Sequence, residues 1–263
     1  MQIHRLAYLT HSLARRILTT TGLSRPFRRV FGPLAGRAIS RMATSDGRPS
    51  LVRGHRMHLA PPGGFPPLAL ALDRYEEATT RLFESILQPG MVVIDAGAHV
   101  GYYSLLAARR VGPTGRVYAF EPDPANYQLL LSNIELNGYS NITPVNAALS
   151  NQEGRFTLFQ TTLDTGRHSI YRQDLPLKGS VDVPATTLDG FLADEGWPHV
   201  GLVKVDVEGS EADLLDGMTQ LLDRTSAIKL IIEFNPSLLL TAGVELHEFL
   251  DRFAAWGFDV QWI

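Results

Sequence analysis

Cysteine is absent from the 263 residues, which excludes disulfides, thiolate metal sites and a thiol nucleophile, and permits a reducing compartment. No apolar run approaches the ~20 residues that cross a bilayer, so no membrane span is expected. Internal repeats and low-complexity tracts are lacking too. Acidic side chains are scarce at one end: residues 1–48 hold nine arginines against one acid, Asp46, which leaves 15 basic and 26 acidic residues for the remainder. The head therefore carries about +8 and the body about −11 within a net charge of −3. An acidic body with scattered arginines argues against a nucleic-acid partner.

The chain does have 44% hydrophobic residues, enough for one large core, and an alternation of strand and helix signals. A Pro/Gly-rich linker, Pro61–Pro67, divides a basic N-terminal extension with linker (1–69) from a domain spanning 70–263. Within the head, Leu, Ile, Ala and Phe alternate with Arg15, Arg16, Arg25, Arg28, Arg29, Arg37 and Arg41. Three readings stand open: a solvated helical extension, peripheral contact with anionic membrane through residues 1–48, and a cleaved transit peptide. Pro26 and Pro33 break the segment into short pieces.

After a helix near 75–87, the expected order is strand 91–96, helix 101–110, strand 116–121, helix 124–137 and strand 142–148. Two antiparallel strands, 155–159 and 180–185, should flank a polar loop containing Asp164, Arg167, His168 and Ser169 at the mouth of a site. A helical stretch 187–192, strand 201–207, helix 211–222, strand 229–234, helix 245–256 and strand 258–263 complete the chain. This is an α/β pattern, a doubly wound, mostly parallel sheet covered on both faces.

One segment points to chemistry. The strand Val92–Ala96 contains Asp95 and runs into Gly97 and Gly101 before a helix begins. Glycine there permits close backbone approach, and the helix presents unpaired amides to a ligand. The Gly-x-Gly-x-x-Gly of dinucleotide enzymes is missing, which counts against a nicotinamide oxidoreductase. A carboxylate ahead of the first glycine suits a cofactor with an ammonium and a sulfonium, namely S-adenosylmethionine. Glu121, at the end of the next strand, is placed to accept hydrogen bonds from both hydroxyls of a ribose.

Six further blocks extend this reading: Ile94–Gly101, Glu121-Pro122, Asn146–Ser150 with Gly154, Thr187–Asp189, Lys204-Val-Asp-Val-Glu-Gly-Ser-Glu211 and Ile232–Pro236. In order and spacing they resemble the FkbM family of S-adenosylmethionine-dependent methyltransferases, over about residues 74–260. The resemblance implies a Rossmann-like class I methyltransferase fold and methylation of hydroxyls on glycans, glycolipids or other polyhydroxylated metabolites. Its cofactor residues would be Asp95, Gly97, Ala98, His99 and Gly101 in the first loop. Glu121, Pro122, Ala147, Ala148 and Asp206 would complete them. His99 departs from the family's more frequent Asn. The chain stops at Ile263, where this fold normally turns back into an antiparallel seventh strand, so that strand is expected to be missing.

A sugar hydroxyl needs a base, or a divalent metal that lowers its pKa. Asp206 and Glu208 lie at the carboxyl end of the fourth parallel strand, where open α/β sheets bind ligands. Asp206 is expected as base or metal ligand, and Glu208 as second ligand or orienting group. His168 is a candidate base as the only histidine of the mouth loop. Glu211 reads as a helix cap, Lys204 as a neutraliser of the carboxylates, and Glu233 and Asn235 as acceptor-lining residues. Tyr102 and Tyr103 offer ring faces to a sulfonium, and Tyr75 and Glu76 either close over the cofactor or pack. The expected location is the cytoplasm, peripherally at the membrane. The alternative is a non-catalytic protein of this fold that binds a membrane or partner through its basic head, with an incomplete sheet as its main support.

Overall fold

A computed structural model describes residues 5–11, 49–59, 75–162 and 164–263. Strand β1 is Arg5–His11, followed by a hairpin of β2 (Ser50–Val52) and β3 (His55–Met57), helix α1 (Glu77–Ile86), β4 (Val92–Ala96) and α2 (Tyr102–Val111). Next come β5 (Arg116–Phe120), α3 (Pro124–Asn137), β6 (Ile142–Val145), β7 (Ala148–Leu149), β8 (Gly154–Thr161) and β9 (Leu177–Thr186). The chain continues through α4 (Leu188–Asp194), β10 (Val200–Val205), α5 (Glu211–Asp216), α6 (Thr219–Arg224) and β11 (Lys229–Phe234), and ends with α7 (Pro236–Thr241), α8 (Leu246–Ala255) and β12 (Phe258–Trp262).

Seven strands form one sheet in the order β12-β1-β11-β10-β4-β5-β6, and every neighbouring pair is parallel. Consecutive residues face opposite sides of a strand, so each strand feeds two cores. Ile94, Tyr118, Val203 and Ile232 enter one; Val93, Val117, Leu202 and Ile231 enter the other. Strands buried on both faces read as continuous apolar runs, which is why these segments were legible. Pro144 sits in β6 at the sheet's edge, where its missing N–H costs no ladder bond.

The expected gap in the sheet is not there. Between β11 and β12 lies β1, pairing Leu6 with Lys229 on one side and with Asp259 on the other. Ala7 and Leu9 are fully buried in the first core, and Tyr8 packs against the second. Arg5 pins the start of the strand by donating to the carbonyls of Trp256 and Leu222. The seventh position is thus filled from the N-terminal side by a parallel strand, so an incomplete sheet no longer supports a non-catalytic reading. The three readings of the basic head, and the linker Pro61–Pro67, concern residues 12–48 and 60–74, which lie outside the described residues. Among the described residues, no helix is long and apolar enough to cross a membrane.

The expected helix over 211–222 is two helices, broken at Gly217. A β-carbon there would lie 2.1 Å from the Ser150 carbonyl oxygen, so the break lets two backbones touch. Asp189, of the Thr187–Asp189 block, accepts from the amides of Gln220 and Leu221 and caps the second of these helices. Glu211 accepts from Gly209 N with both oxygens at 3.1 Å, and burial raises its carboxyl to about 7. Strands β8 and β9 form the expected antiparallel hairpin, longer than the sequence suggested, and β7 pairs parallel with β9.

Candidate active site

A cleft opens at the carboxyl ends of β4, β5 and β10. Its inner wall is the turn after β4. Gly97 has φ +81°, and a β-carbon on it would fall 1.9 Å from the Asp206 carbonyl oxygen. The two loops touch backbone to backbone, and only glycine allows this. Gly97→Ala is therefore expected to push the Asp206 segment out of place and abolish binding of S-adenosylhomocysteine. Titration calorimetry on the folded variant checks this, and wild-type affinity would contradict the close approach.

His99 is left-handed too, at φ +53°. Its N–H donates to Glu121 Oε2 at 2.8 Å, and Asp123 N–H donates to Oε1 at 2.9 Å. Burial nevertheless raises the Glu121 carboxyl to about 8, because those two backbone bonds only partly replace water. Asn146 fixes the strand end beside it by donating to the carbonyls of Glu121 and Pro122. Phe120, Leu149, Leu158 and Ile170 give the cleft an apolar side. A buried carboxylate beside an apolar slot, with a glycine turn pressed against the facing loop, fits the ribose and adenine of S-adenosylmethionine.

Of the expected cofactor residues, Gly97, His99, Glu121, Pro122, Ala147, Ala148 and Asp206 line the cleft. Asp95, Ala98 and Gly101 stand behind it. Asp95 is fully buried, with Oδ2 accepting from Ser104 Oγ at 2.6 Å and Oδ1 without a partner among the described residues. Its carboxyl is raised by burial, against the opposing charge of Lys204. Ala98 N–H donates to the Phe120 carbonyl, and Gly101 packs on Leu130.

Asp206 and Glu208 line the cleft, and together with Glu233 each offers a carboxylate oxygen, all within 4.8 Å of one another; Glu233 and Asn235, expected to line the acceptor pocket, are not among the residues of the cleft wall. Lys204 Nζ lies 3.0 Å from Asp206 Oδ2 and 4.5 Å from the centre of the Tyr103 ring. Burial works against the lysine's charge, but Asp206, Asp95 and Glu76 more than compensate, and its pKa stands above the ordinary value. Glu208 is left-handed at φ +53°, a conformation that costs a non-glycine residue about 1 kcal/mol or more. Its carbonyl accepts from Ser169 Oγ at 2.7 Å and from Gln173 Nε2 at 3.3 Å.

Several candidates occupy other places than expected. His168 lines the cleft, but its Nδ1 accepts from Thr161 N–H at 3.2 Å, and Nε2 faces Asp123 Oδ2 at 3.9 Å. In that tautomer the lone pair is already used, and burial lowers the ring's pKa. To take a hydroxyl proton, His168 would have to give up the Thr161 N–H bond, which weighs against the expected role as base. Tyr102 and Tyr103 are core residues, and the cation over Tyr103 is Lys204. Tyr75 packs edge-on against Tyr102, and Glu76 accepts from Tyr103 Oη at 2.8 Å, so neither lines the cleft. Thr165, Gly166 and Ile170 do line it. The polar loop was visible in the sequence, but nothing there marked these three as wall residues.

Residues 95–260 match the family model described as Methyltransferase FkbM domain. Methyltransferase sdnD of Sordaria araneosa is 28% identical over 157 residues, covering 49% of this chain and 60% of that protein. Hexuronic acid methyltransferase AglP of Haloferax volcanii is 25% identical over 156 residues, covering 59% and 61%. For 31-O-demethyl-FK506 methyltransferase FkbM of Streptomyces tacrolimicus the figures are 28% over 160 residues, 50% and 61%. The chain spans about three fifths of the length of these relatives.

Proposed function

This chain belongs to the FkbM methyltransferase family, and we propose that it transfers the methyl group of S-adenosylmethionine to a hydroxyl of a glycan, glycolipid or other polyhydroxylated metabolite. The observation that carries the reading is one cleft lined both by the buried carboxyl of Glu121, for the ribose, and by Asp206 and Glu208, whose carboxylates cluster with that of Glu233. A relative named for hexuronic acid methylation supports a sugar acceptor.

The cofactor supplies a methyl carbon already activated by its sulfonium. Glu121 and the Gly97 turn hold the nucleoside, and the apolar side of the cleft excludes water around the reacting carbon. Asp206 would receive the proton of the acceptor hydroxyl as that oxygen takes the methyl group, with S-adenosylhomocysteine as the leaving group. Lys204 holds the Asp206 carboxylate in place through Oδ2. Glu208 and Glu233 orient the hydroxyl; with Asp206 they are also the residues that would hold a divalent cation, which would make the hydroxyl more acidic.

The test is methyl transfer from radiolabelled S-adenosylmethionine to a panel of methyl glycosides and glycolipid extracts. Asp206→Ala is expected to lose about 100-fold or more of the rate, in the range of general-base removal, while S-adenosylhomocysteine still binds. Equal rates in the variant and wild type would overturn the assignment.

A further inference from the structure

The polar loop after β8 is tied to both ends of the cleft, and the ties converge on few residues. At the cofactor end, His99 donates its backbone N–H to Glu121 Oε2, while its ring Nε2 meets Thr165 Oγ1 at 2.8 Å. Asn126 holds the same residue, donating through Nδ2 to the Thr165 carbonyl at 2.9 Å. Thr165 is thus tied to His99, which itself holds Glu121, and to the helix that follows Asp123. At the acceptor end, Ser169 and Gln173 of the same loop hold the carbonyl of the left-handed Glu208. Ser169 is itself locked, exchanging backbone hydrogen bonds with Phe159 and accepting from Tyr171 N–H through Oγ.

We infer that His99 and Thr165 are positioning residues that transmit occupancy of the cofactor site to the acceptor side. Resting on the proposed cofactor reading, the chain of contacts runs Glu121, His99, Thr165, Ser169, Glu208. Ribose hydroxyls on Glu121 fix its carboxylate, which fixes the His99 peptide, its ring and the loop. The Glu208 peptide is then clamped in its strained conformation. These contacts are already made in the structure; an occupied cofactor site stiffens them, so acceptor binding is favoured once cofactor is in place. The coupling follows a physical element whose position both ends bias, as a mechanical link requires.

Hydrogen exchange read by mass spectrometry tests this on the full chain, alone and saturated with S-adenosylhomocysteine. In wild type the ligand is expected to slow exchange across residues 164–171 by about tenfold or more. In Thr165→Val and His99→Asn, each saturated with ligand, the slowing should shrink below threefold at 164–171 and persist around Glu121. Asparagine tolerates the left-handed backbone but is too short to reach Thr165; the valine breaks the same contact from the other side, so either variant suffices if one fails to fold. Wild-type protection in a saturated variant, or wild type that binds ligand without protecting 164–171, would overturn the inference. A folded wild type that binds no S-adenosylhomocysteine would overturn the cofactor reading as well.

Discussion

S-Adenosylhomocysteine is expected to bind up to about tenfold more weakly for each pH unit below about 8, and Glu121→Ala should lose 100-fold or more in affinity above that pH, with the gap to wild type closing as pH falls. Both effects arise from one carboxyl group. Glu121 is 5% exposed and, when empty, raised by burial to about 8. Ribose hydroxyls bind as donors, so they need the anion, and below pH 8 binding must release a proton. Two hydrogen bonds to a charged acceptor, at about 1.5–3 kcal/mol each, account for the loss in the alanine variant. The empty protein shows the converse. Because the folded pKa lies above the unfolded 4.5, Glu121 contributes stability that is fully present below about pH 4.5 and is lost as pH rises through about 8. At ~1.4 kcal/mol per unit the whole swing is on the order of 4–5 kcal/mol. Calorimetry in two buffers of different ionisation enthalpy, with melting curves at pH 6 and 8, measures both. Affinity independent of pH would show that Glu121 is ionised before the cofactor arrives.

Removing residues 1–11 is expected to unfold the domain. An ordinary N-terminal extension would be dispensable, but β1 is an interior strand hydrogen-bonded along both edges, and β12 has β1 as its one neighbour in the sheet. Its loss exposes an edge of β11, detaches β12 and uncovers the cores on both faces. That exceeds the 5–15 kcal/mol that separates a folded domain from its unfolded chain. Leu9→Ala, at a fully buried position, is the milder form and should cost about 2–5 kcal/mol. Leu51→Ala, at a side chain 69% exposed, is the matched control and should change little. Circular dichroism melts of the three variants decide the matter: a truncated chain that melts like wild type would mean that β1 is an accessory.

The central strands and helices could be read from the sequence because their signals are local. Asp123, capping the helix Pro124–Asn137 through the amides of Ala125 and Asn126, sits immediately before a proline at the first helical position. Strand β1 could not be read in the same way. Arg-Leu-Ala-Tyr-Leu-Thr-His is too short for periodicity to separate a buried strand from a helix, and its partners lie more than 200 residues away. Gly217 looked like an interior helix residue because the Ser150 carbonyl that requires the break comes from a distant loop. At the site, the residue types around Gly97, Glu121 and Asp206 carried their chemistry openly. His168 did not, since only the fold shows that Thr161 N–H already occupies its lone pair. The left-handed backbones of His99 and Glu208 were equally hidden, because neither residue type announces a positive φ.

The register that pairs Leu6 with Lys229 and Asp259 sets a schedule for biosynthesis. Residues 5–11 are made more than 200 residues ahead of both strands that receive them. At about 5–20 residues per second, the interval is roughly 10 to 45 s. Throughout it, the nascent chain must carry an apolar strand with no docking site, while the sheet that forms around β4, β5 and β10 keeps a vacant flank. Closure of the sheet therefore waits until Phe258–Trp262 has emerged, and a chaperone that shields residues 5–11 until then is expected to raise the yield of folded protein.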